Sequence, residues 1–151
     1  MTELRSLKPT TSSAGEAAVD GMLAGIGAGL AMAVYLVGAG WLSGEAPGQM
    51  LARFDPSGGT SPLLGMLAHL AVAGIYGLVF ALAWRALGRL WPRLPVVAAG
   101  LAYGVLLYGL AQGVLLPWAG SALLAVAPLH LLAAHLVYGL VLGLAGRRAA
   151  Q

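Results

Sequence analysis

The stretch PLLGMLAHLAVAGIYGLVFAL, residues 62–82, carries no charged residue and a single histidine, His69. A hydrocarbon core about 30 Å thick is crossed by about 20 apolar residues in a helix, so this stretch predicts a membrane span. The stretch PLHLLAAHLVYGLVLGLAG, residues 128–146, repeats its pattern, because a proline opens both stretches and His135 lies at the position that corresponds to His69.

The composition of the whole chain agrees with a membrane protein. Of its 151 residues, 60% are hydrophobic and 9% are charged, and the mean hydropathy is +0.87; soluble domains have about 25% charged residues. The sequence predicts an all-α integral membrane four-helix bundle over residues 16–151, after a disordered cytoplasmic tail at residues 1–15. Its four spans are expected at about residues 21–42, 62–82, 94–118 and 123–146. Either Leu123 or Pro128 starts the last span, since proline both kinks and opens helices.

Several classes of function are excluded or disfavoured by what the sequence lacks. It has no cysteine, which removes disulfides, thiol catalysis and cysteine-held metals. It also lacks a nucleophile elbow, a P-loop and an HExxH motif, so we expect no enzyme. The basic run Arg85, Arg89 and Arg93 is short and flanked by spans, which favours contact with lipid headgroups over nucleic acid.

The distribution of basic residues predicts the topology. Arg53 alone lies between spans one and two, and none lies between spans three and four. The positive-inside rule therefore places both termini in the cytoplasm, in a multi-pass protein of the cell's inner (cytoplasmic) membrane. In the external loop, residues 47–55 predict an interfacial helix with Met50, Leu51 and Phe54 facing the bilayer. The other basic residues lie on the predicted cytoplasmic side: Arg5, Lys8, Arg85, Arg89, Arg93, Arg147 and Arg148.

The two histidine-bearing spans indicate an internal repeat. Spans one and three match more faintly, since Ala28-Gly29-Leu30-Ala31 recurs at residues 99–102. Two tandem two-helix repeats of parallel orientation, related by an axis along the membrane normal, are the expected arrangement. Chance recurrence of alanine, glycine and leucine is the alternative for the fainter match.

Glycines at four-residue spacing predict helix packing, because helices in lipid associate where small residues let their backbones approach. We expect these contacts inside the bundle, with a homodimer through span one, or a larger membrane complex, as the alternative. The expected packing residues are Gly21, Gly25, Gly29, Gly77, Gly139 and Gly143.

The polar residues within the spans are candidates for function, since an ionisable group in a membrane helix costs free energy. His69 and His135 are expected at equal depth, with Gln112, Tyr108 and Tyr138 in the same polar cluster. Such residues commonly form interhelical hydrogen bonds. The competing hypotheses are a haem b held by His69 and His135 as axial ligands, and an oligomeric channel or transporter for protons or a small solute. His130 projects from a different helix face and is expected to be solvated near the interface.

The motifs His69-Leu-Ala…Gly77 and His135-Leu-Val-Tyr138-Gly139-Leu-Val-Leu-Gly143 resemble those of a family of small prokaryotic four-helix integral membrane proteins that carry a domain-of-unknown-function label. That resemblance covers most of the chain after about Ala17 and implies the topology, but no activity or ligand. The expected role is a non-enzymatic accessory or structural membrane module whose partner is the lipid bilayer.

Overall fold

Four long helices and several short helical segments make up the fold. The structure is a computed structural model that describes residues 13–58, 60–91 and 93–149. Within these residues all regular structure is helical, in this order: α1 Ala14–Leu42, α2 Pro47–Ala52, α3 Pro62–Leu90, α4 Val96–Leu110, a π-helical turn Ala111–Leu115, α5 Leu116–Trp118, a 3₁₀ turn Ala122–Ala125 and α6 Pro128–Ala149.

Four of the helical segments are long and apolar enough to cross a membrane: Ala14–Leu42, Pro62–Gly88, Val96–Trp118 and Pro128–Arg148. This confirms the all-α, four-helix class and indicates a membrane protein. Most of the predicted disordered tail, residues 1–12, lies outside the described residues, and α1 already includes Ala14 and Gly15.

Local capping explains where the long helices begin. At the start of α1, the Ser13 hydroxyl accepts from the Glu16 N–H at 3.1 Å, while the Glu16 carboxylate accepts from the Ser13 N–H at 2.6 Å; this is a capping box. Pro62 opens α3 behind the cap residue Ser61. Of the two starts left open for the last span, the structure has Pro128, and Leu123 belongs to the separate 3₁₀ turn.

The long helices pack in the order α3, α1, α6, α4. The α1–α3 and α4–α6 pairs are in contact along their lengths, α1 and α6 join the two pairs, and α3 barely touches α4. The bundle is therefore closed on the side where α1 meets α6 and open on the side between α3 and α4.

Glycines form the contact surface within each helix pair. A Cβ on Gly25 of α1 would meet the Ala73 carbonyl oxygen and the Gly77 Cα of α3. In the second pair, a Cβ on Gly100 of α4 would meet the Gly139 carbonyl oxygen of α6. Five of the six predicted packing glycines meet backbone atoms of the neighbouring helix in this way, and Gly29 lies against the Ala73 side chain of α3. Gly100 and Gly104, which form the α4 side of the second contact, were not predicted, although their own four-residue spacing was the signal.

The predicted orientation of the loop helix α2 is wrong. Met50 is only 3% exposed and Phe54, which follows α2, only 8%, so both side chains point into the bundle rather than toward the bilayer; Leu51 is half-buried. Glycines on the long helices make room for them. A Cβ on Gly40 would meet the Met50 Cε, and one on Gly65 would meet the Leu51 carbonyl oxygen.

We expect Gly25→Ala to destabilise the bundle by about 1–3 kcal/mol, because the added methyl group overlaps backbone atoms of α3 that move only if the helices separate. Thermal unfolding of the purified protein in detergent measures the change.

Gly27→Ala is the matched control on the same helix, because a Cβ there has nothing within 4 Å. Replacing an interior helical glycine by alanine without a clash stabilises by roughly 0.5–1 kcal/mol. Equal effects of the two substitutions would contradict the packing described here.

Candidate functional site

A cavity of about 490 Å³ lies inside the half of the bundle that carries α2 and the 3₁₀ turn. Its walls are formed by side chains of α3, of α6 and of residues Val96–Trp118, which comprise α4, the π-helical turn and α5 and are called the α4 segment below. Met32 of α1 also lines the cavity. The lining ends at Tyr76 and Tyr138, which lie midway along α3 and α6. Its size falls in the range of small-molecule sites, which is about 300–1,000 Å³.

His69 is held on the cavity wall by two contacts. Its Nε2 lies 3.0 Å from the Gly29 carbonyl oxygen of α1. Because a carbonyl only accepts, Nε2 carries the proton and donates. On the other side the Phe54 ring stacks on the imidazole, with ring centroids 4.4 Å apart and planes inclined by 28°. The rotamer of His69 is thus determined by α1 and the loop after α2 together.

His135 lines the same cavity from α6. Its Nδ1 donates to the Leu131 carbonyl oxygen at 2.7 Å, one turn earlier in the helix. The Tyr108 ring of α4 approaches it edge-on at 5.9 Å between centroids. Both histidines line the same cavity, so the structure brings them to one site.

Tyrosines close the cavity at mid-bundle. The Tyr138 hydroxyl of α6 donates to the Ala73 carbonyl oxygen of α3 at 2.6 Å. The Tyr103 hydroxyl of α4 donates to the Tyr76 carbonyl oxygen at 2.9 Å, and its ring lies 5.2 Å from that of Phe80. These bonds satisfy phenol groups that would otherwise be unpaired in an apolar interior. They join α3 to α6 and to α4 at the mid-bundle end of the cavity.

Two connecting loops cover the other end of the cavity. In the first loop, Asp55 is only 8% exposed, and its Oδ1 accepts from the Ser57 hydroxyl at 2.7 Å and the Ser57 N–H at 3.0 Å. The hydrogen bond from the Ser57 hydroxyl is the main reason that the pKa of the Asp55 carboxyl lies below its usual range. Because its pKa is lowered, the ionised carboxylate stabilises the loop at pH values above the ordinary titration range of an aspartate. This stabilisation is lost as the pH falls through the lowered pKa.

Arg53 forms an ion pair within its own loop and a hydrogen bond to the second loop. Arg53 Nε lies 2.6 Å from Glu45 Oε1, and an Arg53 guanidinium N–H donates to the Ala122 carbonyl oxygen at 3.0 Å. Both loops turn at glycines that line the cavity, Gly58 with φ +69° and Gly120 with φ +57°. Glycine adopts this left-handed conformation without the steric cost of a Cβ.

Gln112 and His130 do not line the cavity. Gln112 sits in the π-helical turn, and its Oε1 is buried without a hydrogen-bond partner in the described part of the chain. His130 is not simply solvated, since its Nδ1 is hydrogen-bonded to the Tyr35 hydroxyl at 3.1 Å. Tyr138 lines the cavity with the two histidines, whereas Tyr108 reaches it only through the ring of His135.

Sequence reasoning missed several residues of the site. Phe54, Asp55, Tyr76 and Tyr103 were not assigned to it. The loop residues gave no periodic signal, and Tyr76 lies seven residues after His69, which is two helical turns and therefore the same face. That spacing was the available signal for Tyr76.

The fold and the site define a four-helix membrane protein with a cavity in one half of the bundle. The chain belongs to DUF6789, a family of unknown function that matches residues 15–151. No curated protein and no solved structure matched the chain.

Haem ligation by His69 and His135 stays a prediction, and the hydrogen bonds bear on it. An axial histidine supplies one ring nitrogen to the iron while its other nitrogen is commonly hydrogen-bonded. His135 meets this requirement with Nε2, the ring nitrogen farther from its Cβ, whereas the Nε2 of His69 is bonded to Gly29 and leaves only Nδ1, the more hindered nitrogen beside the Cβ-bearing ring carbon. His69 would have to use Nδ1 or give up that bond.

We therefore expect the detergent-purified protein, oxidised or dithionite-reduced, to show no Soret band. A Soret band with sharp reduced α and β bands, lost in His69→Ala and in His135→Ala, would contradict this expectation and make the protein a bis-histidine cytochrome.

Proposed function

We propose that this protein is a non-enzymatic, multi-pass membrane module that binds a small, mainly apolar molecule in the cavity. The observation that carries the proposal is the cavity of about 490 Å³, whose walls come from the long helices and include both intramembrane histidines. A largely apolar pocket with a few converging polar groups is the usual form of a small-molecule site.

The open side of the bundle supports access from the bilayer. The cavity lies between α3 and α4, neighbouring helices that barely touch. Val72 of α3 and Leu115 of the α4 segment both line it and remain 50% and 37% exposed. A molecule dissolved in the membrane could pass between these side chains without crossing water.

The π-helical turn supports the same route. Residues Ala111–Leu115 form it where the α4 segment borders the cavity, and Ala111 and Leu115 line the wall. A π-helical turn inserts a residue into an α-helix and is frequent at functional sites.

The position of the cavity favours binding over passage. Its lining residues extend from the loops to Tyr76 and Tyr138 and include none from the other half of the bundle. The hydrogen bonds from Tyr138 to Ala73 and from Tyr103 to Tyr76 lie at this boundary.

The proposal includes an internal two-helix repeat, supported by the register of the helix contacts. Gly29 of α1 lies against Ala73 of α3, and Gly100 of α4 lies against Gly139 of α6. In the alignment of the two halves, Gly29 corresponds to Gly100 and Ala73 to Gly139. The two pairs therefore meet at corresponding positions. Their histidines also correspond, since His69 lies four residues before Ala73 and His135 four residues before Gly139.

We further propose that both termini are cytoplasmic and that the membrane is the cell's inner membrane. The supporting observation is that Arg53, the single basic residue of the loops on the α2 side, is paired with Glu45. The other side has Arg85 in the last part of α3, Arg93 after α3, and Arg147 and Arg148 at the end of α6. A homodimer would need a face other than Gly21–Gly29, since α3 covers that face.

We expect Ala68→Phe to reduce binding of a photoreactive alkyl diazirine to the cavity, because Ala68 lines it and the added ring takes up its volume. The measurement is ultraviolet crosslinking in lipid nanodiscs, followed by mass spectrometry of the labelled peptides. Excess unlabelled dodecanol should compete with labelling of the cavity wall but not with labelling of lipid-facing side chains.

Ala71→Phe is the matched control, since Ala71 is exposed on the same helix and does not line the cavity. It should leave the labelling unchanged. If wild type shows no competable labelling of the wall, or if both variants lower it equally, the binding function fails.

The topology can be tested with single cysteines, because the chain has none of its own. In spheroplasts, we expect a membrane-impermeant maleimide to label Thr60→Cys directly and Arg148→Cys only after permeabilisation. Both positions are exposed. The reverse pattern would overturn the proposed orientation.

A further inference from the structure

The hydrogen bonds of the two histidines determine what the cavity offers to a ligand. His69 donates through Nε2 to the Gly29 carbonyl oxygen, and His135 donates through Nδ1 to the Leu131 carbonyl oxygen. A neutral imidazole has one N–H and one bare nitrogen. Both protons are engaged by carbonyl groups, so each ring presents a hydrogen-bond acceptor: Nδ1 of His69 and Nε2 of His135.

The other polar groups of the lining complete this picture. Asp55 contributes a carboxylate, which is an acceptor when ionised, and Ser121 and Tyr76 contribute hydroxyls, which both donate and accept. Among the described residues, no lysine or arginine lines the cavity. A ligand with an anionic end, such as a fatty acid or a phosphate ester, would meet two hydrogen-bond-accepting nitrogens and a carboxylate there. It would meet no cation to pair with its charge.

Resting on the proposed binding function, we propose that the cavity selects a lipid-soluble molecule whose polar end is a hydroxyl group, an alcohol or a phenol. This hydroxyl donates its hydrogen bond to the bare nitrogen of His69 or His135. Its oxygen can accept a bond in return, for which the hydroxyls of Ser121 and Tyr76 are available. The apolar remainder of the molecule lies against side chains such as Leu107 and Leu131 and extends toward the opening between α3 and α4.

A pair of probes separates this inference from the binding function itself. One probe is a diazirine-bearing alkyl alcohol, and the other is its methyl ether, which keeps the oxygen as an acceptor but has lost the proton to donate. Crosslinking to the cavity wall in nanodiscs is measured for both probes over a range of concentrations. We expect half-maximal labelling at about fivefold lower concentration for the alcohol, the factor that one net hydrogen bond contributes.

The histidines are tested by removing their ring nitrogens while keeping an aromatic ring. In the double variant His69→Phe/His135→Phe the preference for the alcohol should fall to about one, while the ether should still label the wall. The ether thus reports in the same sample that the cavity has formed. Tyr108→Phe is the control, because it leaves both imidazoles in place and should retain the preference.

The outcomes are distinguishable. Equal labelling by alcohol and ether in the wild type would overturn the hydroxyl selectivity and leave the binding function standing. A preference that persists in the double variant would overturn the role of the histidines. Absence of competable labelling by either probe would overturn the binding function, and with it this inference.

Discussion

Close contact between helix backbones is the constraint on which the rest of this structure depends. In a bilayer the lipid tails are as apolar as leucine, so helix association relies on packing and polar contacts rather than on the hydrophobic effect. Gly25 and Gly77 in one helix pair, and Gly100 and Gly139 in the other, allow this contact. Because these glycines have no side chains, α1 and α3 lie close enough for His69 to bond the carbonyl oxygen of Gly29. Gly29 therefore belongs both to the packing surface and to the site.

The cavity exists because the two helix pairs meet on one side only. If two equivalent pairs related by an axis along the membrane normal met symmetrically, α3 would pack on α4 as α1 packs on α6. Instead α3 and α4 are joined near mid-bundle by the Tyr103–Tyr76 hydrogen bond and separate toward the loops. His69 of the α1–α3 pair and His135 of the α4–α6 pair both line the space between them. An asymmetry in packing thus places two corresponding residues in one site.

The fold could be predicted from the sequence because each long apolar stretch is an independent signal. Pro62 and Pro128 both open helices, and the glycine spacing identified most of the packing face. The site was harder to predict, because it depends on how the loop folds back. Apolar residues near a membrane surface suggested that Phe54 faces lipid. Nothing local in the sequence shows that it stacks on His69, a residue of the next helix.

The division of the glycine contacts between two hairpins has a consequence for biosynthesis. The nearest backbone atoms that a Cβ on Gly21 or Gly25 would meet belong to α3, so the first hairpin can close before Val96 leaves the ribosome. The second hairpin has its own set in Gly100, Gly139 and Gly143. Chains fold unit by unit from the N-terminus during synthesis. Each helix pair can therefore form on its own, and the cavity arises only when the second pair docks on the first.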